Sequence, residues 1–158
     1  MTEQPSFKIL IGRALLATLV LASALAACTA GPGAAGPGGA AAAPLAGTVW
    51  TIAAVEDGKG NLTPVLPGPA LALTFDTSGR VGGQAGCNSF GGGYSQSGAA
   101  LAFARLTSTL RACADEARME QESRLLAAMG KVAGVDATAE GVRLLSASGQ
   151  PLLLLKKP

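Results

Sequence analysis

Apolar residues that recur at every second position are the feature of this sequence that most restricts its fold. Leu71, Leu73 and Phe75 share one face of an extended segment, and Leu101 and Phe103 repeat this spacing further along the chain. Because successive side chains of a strand point to opposite faces, a period of two predicts β-strands with one buried face. The chain is therefore expected to be mainly β.

Turn signals divide these apolar segments into strands. The segment GTVWTIAAV (47–55) predicts a first strand with Trp50 as its largest core residue, and a ligand-stacking platform is the alternative role for this indole. Residues 56–69 hold glycines, an asparagine and three prolines, which predict a long connection without a strand. ALALTF, DTSGR and RVGGQAG then predict a hairpin.

A single segment switches to helical spacing. Residues 114–132 predict one helix at about 115–131, which Asp115 can cap and Gly130 or Gly134 can end. Its predicted inner face consists of Met119, Glu122, Leu126 and Met129, with Leu125 beside them.

After the helix, turn signals at Glu140-Gly141 and Ser148-Gly149 separate three short strands. The order of strands, one helix and strands, with no parallel crossover required, predicts a small antiparallel sheet. We expect a barrel-like or curled antiparallel sheet with the helix packed against it.

The first 27 residues predict a secretory signal peptide. Lys8 and Arg13 precede an apolar run that is too short to span a bilayer, and the run ends in Leu25-Ala26-Ala27-Cys28. This ending resembles the lipobox of bacterial lipoproteins, which implies a lipid on Cys28 and, with Thr29 next, an outer-membrane location facing the periplasm. The alternative is an ordinary signal peptide with an incidental cysteine. Residues 28–44 predict a Gly/Ala/Pro linker, and 45–158 one domain.

Composition excludes several classes of chemistry. The chain has no histidine, which removes Ser-His and Cys-His catalysis and histidine-containing zinc sites. Neither of the common glycine-rich phosphate-loop patterns occurs between Gly82 and Gly98. The net charge is +2 without a basic cluster among aromatics, so nucleic acid is not an expected partner. We predict no catalytic residue, metal or cofactor.

Several segments together resemble the META domain family of bacterial envelope lipoproteins. The resemblance rests on Trp50, on FDTSGRVGGQAGCNSFGGGY (75–94), on LTSTLRAC (106–113) and on ESRLLAAM (122–129). The motif positions are Trp50, Phe75, Asp76, Gly79, Gly86, Asn88, Tyr94, Thr109 and Glu122. The resemblance implies a small, mostly β domain in the cell envelope, with a link to heat shock and antibiotic resistance and no established reaction.

Two cysteines remain after Cys28. Because exported cysteine pairs are usually oxidised, Cys87 and Cys113 are expected to form one disulfide. The alternative is a redox or catalytic thiol, activated by Arg111 or by the helix start. The glycine-rich stretch 82–98 is expected to be a tight, bulge-rich corner around Cys87, in which Asn88 bonds its own main chain.

Glu122 is the most unusual acid, because it lies on the predicted inner face of the helix. A buried carboxylate is expected to be hydrogen-bonded or paired with Arg80 or Arg105. A catalytic role would require a second acid in the same cleft, for which Asp76 is the only companion that the sequence offers.

The preferred function is a non-enzymatic envelope lipoprotein whose domain binds an envelope protein, peptide or cell-wall component during stress. One alternative is an inhibitor of a secreted hydrolase such as lysozyme, which rests on analogy of architecture alone. A thiol redox protein that uses Cys87 and Cys113 is the third hypothesis.

The lipid anchor has a direct test in cells fed an alkyne analogue of palmitate. We expect the wild-type protein to be labelled and to fractionate with membranes, and Cys28→Ser to lose both properties, because serine lacks the thiol that carries the lipid. Thr29→Ser, one position along, is the control and should remain labelled. Labelling that survives Cys28→Ser would contradict the prediction.

Overall fold

The computed structural model describes residues 42–158, which hold nine strands and one helix. In chain order they are β1 (Thr48–Glu56), β2 (Leu62–Pro64), β3 (Ala72–Phe75), β4 (Arg80–Gln84), β5 (Ser89–Ser97), β6 (Ala100–Ser108), α1 (Glu116–Met129), β7 (Val132–Thr138), β8 (Gly141–Ser146) and β9 (Pro151–Lys156). The expected signal peptide, Cys28 and most of the linker lie outside the described residues. Within the described part, no helix has the length and apolar character needed to cross a bilayer.

Eight strands close into an antiparallel barrel. From β3 to β9 each strand pairs with the next along the chain, and β1 pairs with β3 on one edge and with β9 on the other. Closure leaves no long open edge between β1 and β9, which is how barrels avoid unpaired backbone groups. The structure thus confirms the predicted mainly β fold with one helix, in its barrel form.

The short strand β2 corrects the prediction of a continuous connection between residues 56 and 69. Asp57 Oδ1 accepts hydrogen bonds from the N–H groups of Lys59 and Asn61, at 2.8 and 3.1 Å. This turn reverses the chain and brings β2 antiparallel to the end of β1. Pro64 is tolerated because it ends this short outer strand, where proline costs least.

The glycine-rich stretch 82–98 is also different from the prediction. Only residues 85–88 form a corner, and the nine residues that follow form β5, which pairs with both β4 and β6. A Cβ on Gly83 would lie 1.9 Å from the carbonyl oxygen of Ala72. Glycine is therefore needed where β3 and β4 approach closely, and the glycines here belong to strands as well as to a turn.

The helix runs from Glu116 to Met129, inside the predicted range of about 115–131. The Asp115 carboxylate accepts hydrogen bonds from the N–H groups of Ala117 and Arg118, and Gly130 follows the last turn. The helix packs against β1 and β9.

The buried face of the helix is rotated relative to the predicted one. It consists of Gln121, Glu122, Leu125, Ala128 and Met129. Met119 is 38% exposed, so its assignment to the inner face was wrong. The rotation follows from two contacts with the 65–70 connection: Gln121 Oε1 accepts from Leu66 N–H at 2.6 Å, and Arg118 donates to the carbonyl of Pro67 at 2.6 Å.

The core occupies the inside of the barrel and the interface with the helix. Trp50 is buried, and its indole N–H donates to Thr48 Oγ1 at 2.7 Å. Its face is therefore part of the core, which does not fit the alternative of a ligand-stacking platform. Other fully buried side chains are Leu45, Ile52, Leu73, Phe75, Leu101, Leu125, Met129, Leu144, Leu153 and Leu155.

Two glycines on neighbouring strands should respond differently to alanine. Gly83→Ala is expected to lower the free energy of unfolding by about 3 kcal/mol, because backbone must move to admit the methyl group. Gly91→Ala is the matched control, since its Cβ would meet its nearest atom at 3.5 Å, an ordinary contact. Urea denaturation followed by tryptophan fluorescence measures both, and equal stability of the two variants would contradict this packing.

Candidate functional site

The motif residues other than Trp50 fall into two groups at opposite ends of β4. The turn cluster consists of Phe75, Asp76, Gly79 and Tyr94. The Glu122 cluster consists of Gly86, Cys87, Asn88, Thr109, Cys113 and Glu122. β4 begins directly after Gly79 and ends two residues before Gly86, so the two groups lie at different ends of this strand.

The turn cluster closes the β3–β4 hairpin. Asp76 Oδ1 accepts hydrogen bonds from Arg80 N–H, from Ser78 N–H and from Ser78 Oγ, all within 2.9 Å. The hydrogen bond from the Arg80 backbone, with those from Ser78, holds the pKa of Asp76 below its usual value. Gly79 has a φ of +81°, as such a turn requires.

Tyr94 joins this turn to the core. Its hydroxyl donates to the carbonyl of Asp76 at 2.7 Å, and its ring meets Phe75 edge to face with centroids 4.9 Å apart. Removal of the hydroxyl from water, and then the charge of Asp76, raise the pKa of Tyr94 above its usual value. The hydrogen bonds of Asp76 Oδ1 and of the Tyr94 hydroxyl hold this turn together, so the turn cluster has a structural role.

The Glu122 carboxylate is the centre of the second cluster. Oε2 accepts hydrogen bonds from the N–H groups of Cys87 and Asn88, at 3.0 and 2.9 Å, and Oε1 accepts one from Asn88 Nδ2 at 2.6 Å. The side chain is buried, with 6% of its surface exposed. Gly86, with a φ of +130°, turns the backbone so that both of these N–H groups face the carboxylate.

Asn88 extends the network to the segment that connects β6 to α1. Its Oδ1 accepts from Thr109 Oγ1 and from Arg111 N–H, both at 2.7 Å. Its Nδ2 also donates to the carbonyl of Arg111 at 3.1 Å. The amide therefore clamps the connecting segment on both sides of Leu110.

These contacts correct two expectations and do not fit one alternative. Glu122 is hydrogen-bonded as expected, but neither Arg80 nor Arg105 is its partner. Asp76 lies at the opposite end of β4, so it cannot share a cleft with Glu122 as a second acid. Asn88 bonds the 109–111 segment and Glu122 rather than its own main chain, because the barrel brings these distant segments together.

The disulfide prediction is confirmed. Cys87 and Cys113 are joined, with their Cα atoms 5.9 Å apart and a separation of 26 in sequence. The bridge links the 85–88 corner to the connecting segment, beside the Asn88 clamp. In this state neither sulfur is a free thiol, and the Cys113 N–H donates to Met119 Sδ at 3.4 Å.

A groove lies between the connecting segment and the helix. It has a volume of about 390 Å³, and we call it the Leu110 groove. Its lining consists of Asn88, Ser108, Thr109, Leu110, Arg111, Ala112, Met119, Glu122, Ser123 and Leu126. Leu110 is 99% exposed, so the groove is bordered by a protruding apolar side chain.

Sequence reasoning did not single out Leu110, and it placed Met119 in the core instead of at this groove. The available signal was a leucine in TSTLRAC, a segment that lacks the alternation of a strand and the spacing of a helix. Among residues 42–158, no group of three or more acids or cysteines is placed to hold a metal ion. Both Glu122 oxygens already accept hydrogen bonds from Cys87 and Asn88.

The META domain model matches residues 43–158. This range contains the barrel, the helix and both motif clusters. The chain belongs to the META domain family.

Two solved structures share the fold of this META domain. One is an NMR structure of a protein from Burkholderia xenovorans, with 24% identity and a TM-score of 0.60 over 72% of this chain and 83% of that chain. The other, also an NMR structure, has 24% identity and a TM-score of 0.53 over 70% of this chain and 88% of that chain. No curated protein matches the chain.

Replacing Glu122 tests the central role of its carboxylate. Glu122→Gln is expected to lower the free energy of unfolding by about 2 kcal/mol, because an amide NH₂ would face at least one N–H donor and leave it unpaired. Glu120→Gln is the control on the same helix, because Glu120 is exposed and pairs only with Arg124 at 3.4 Å. Chemical denaturation should separate the two variants; equal losses would contradict the role of Glu122.

Proposed function

We propose that this protein is a cell-envelope lipoprotein, anchored through Cys28, whose META domain is a non-catalytic module that binds another envelope protein. In keeping with the family resemblance, the module would support envelope integrity under heat or antibiotic stress. The observation that carries the binding role is the Leu110 groove, with its protruding leucine beside a concave surface.

The exposure of Leu110 has no explanation in the stability of the fold. A leucine that is 99% exposed contributes no buried area to the domain. Its backbone neighbours are nevertheless fixed, because the Asn88 amide holds Thr109 and Arg111. A backbone segment that is fixed before binding loses little entropy on association, which favours affinity.

The shape of the site favours a protein over a small molecule. Leu110 protrudes, while the neighbouring groove of about 390 Å³ is concave and has Met119 on its helical side. A partner must therefore offer a pocket for the leucine and an apolar projection for the groove. A folded protein surface provides both, and central apolar anchors of this kind dominate many interfaces.

Site-specific crosslinking tests the partner in its native membrane. A photoreactive phenylalanine analogue at position 110 of the full chain is expected to give a crosslinked product of one size, which increases after heat or antibiotic stress. The same analogue at Val49, which is 50% exposed on the barrel, is the control and should not give that product.

A second experiment tests whether binding of the identified partner requires Leu110. With the purified partner, Leu110→Ser in the full chain is expected to weaken binding about tenfold or more with an unchanged melting temperature, since one buried leucine is lost from the interface. Equal affinity of the wild type and Leu110→Ser would overturn the proposal. A crosslinked product that is a second copy of this chain would also overturn it, as would inhibition of lysozyme that survives Leu110→Ser.

A further inference from the structure

The barrel wall carries a second depression, which shares no lining residue with the Leu110 groove. It lies across β4, β5 and β6 and has a volume of about 380 Å³. Its lining consists of Arg80, Gly91, Gly92, Gly93, Arg105 and Thr107. We call it the arginine depression, because the two long side chains that border it are both arginines.

The floor of the depression consists of three glycines, and the packing around two of them would allow a side chain. A Cβ on Gly91 or Gly93 would meet its nearest atoms at 3.5 and 3.8 Å, which are ordinary contacts, whereas one on Gly92 would lie 2.7 Å from the carbonyl oxygen of Ala104. Neither Gly91 nor Gly93 has a positive φ. Glycine weakens a strand, so the fold alone would favour a side chain at both positions. Such side chains would occupy the depression.

A bulge in β6 brings Arg105 to the border of the depression. Gly91 pairs with Thr107 and Gly93 with Ala104, so Arg105 and Leu106 together oppose Gly92. Arg105 has a φ of +51° and is the only residue other than glycine with a positive φ among residues 42–158. Bulges re-aim side chains, and this position usually holds glycine.

The two guanidinium groups that border the depression form no ion pair within the described residues. The lining, all of it within residues 42–158, contains no acid. By contrast, Arg118, Arg124, Arg143 and Lys156 each pair with a carboxylate. The Asp76 charge attracts Arg80 without forming an ion pair with it, so a single nearby carboxylate stands against two guanidinium groups. The depression is therefore positively charged.

We propose that the arginine depression binds a phosphate group carried by a molecule of the cell envelope. Arg80 and Arg105 stand on strands that are separated by β5, which puts their backbones about 10 Å apart, within reach of one shared ligand. One guanidinium group can pair with both oxygens of a carboxylate, whereas a phosphate presents additional oxygens to a second guanidinium group. The bare floor lets the group that carries the phosphate lie against the strands.

Calorimetric titration of the full chain in detergent with inorganic phosphate tests the two arginines. The wild type is expected to bind saturably, and the double variant Arg80→Gln/Arg105→Gln to bind at least about tenfold more weakly, because charge-assisted hydrogen bonds are lost. Lys59→Gln/Lys131→Gln is the matched control: it removes the same charge from a separate depression that contains Glu56. No saturable binding by the wild type, or an equal loss in the control, would overturn the proposal.

The floor provides a second test that does not alter charge. Gly91→Ala/Gly93→Ala is expected to leave the melting temperature unchanged or higher, and to weaken phosphate binding at least about tenfold by filling the depression. Full phosphate affinity in this variant would overturn the proposed floor. If the variant is destabilised, the arginine variants decide the question by themselves.

Two further ligands distinguish the source of the phosphate. Dihexanoyl phosphatidic acid and glycerol 3-phosphate carry the same monoester with and without acyl chains. Tighter binding of the former supports a membrane lipid headgroup, and equal binding supports a soluble phosphate ester. Failure of both to bind, or binding that survives Arg80→Gln/Arg105→Gln, would overturn the proposal.

Discussion

The Glu122 carboxylate and the Asn88 amide connect three segments that are distant in the chain. Glu122 comes from the helix, Asn88 from the corner between β4 and β5, and Arg111 from the segment that leads into the helix. A buried carboxylate is tolerated only when donors surround it, and here two backbone N–H groups and one amide do so. The conformation of the connecting segment, and with it the position of Leu110, depends on this network.

The disulfide reinforces the same junction. It joins the corner to the connecting segment one residue before Asn88, so a covalent link and a hydrogen-bond network hold the same two pieces of chain. In the chain-entropy model, a loop of this length stabilises a fold by about 3–4 kcal/mol. Both features leave an exposed leucine on a rigid segment, which is a favourable arrangement for binding.

The turn cluster, the Glu122 cluster and the arginine depression lie at different places on the barrel wall. The turn cluster closes one end of the β3–β4 hairpin, and the Glu122 cluster supports the groove beyond the opposite end of β4. The proposed phosphate site uses the outer wall across three strands, where the glycines leave the surface open. The proposed protein partner and the proposed phosphate group would therefore contact different residues.

Local signals predicted much of the fold. The hairpin around Asp76, the cap at Asp115 and the three strands after the helix depend on residues close in sequence, and the structure has each of them. The predictions failed where pairing between strands decided the secondary structure. The strand β5 is rich in glycine and has weak propensity, yet two neighbouring strands provide hydrogen bonds for its backbone. The helical spacing of apolar residues also placed Met119 on the buried face of the helix. Spacing alone does not show which face of a helix the barrel covers.

The sequence by itself determined the class of the fold, the family pattern, the disulfide and the absence of histidine chemistry, since these depend on residue identity and short-range spacing. Only the tertiary structure decided that Glu122 binds Asn88, that Asp76 lies at the other end of β4, and that Leu110 is exposed. Each finding depends on whether residues more than 20 positions apart in sequence come into contact. They follow from closure of the barrel, which depends on the register of all its strands together.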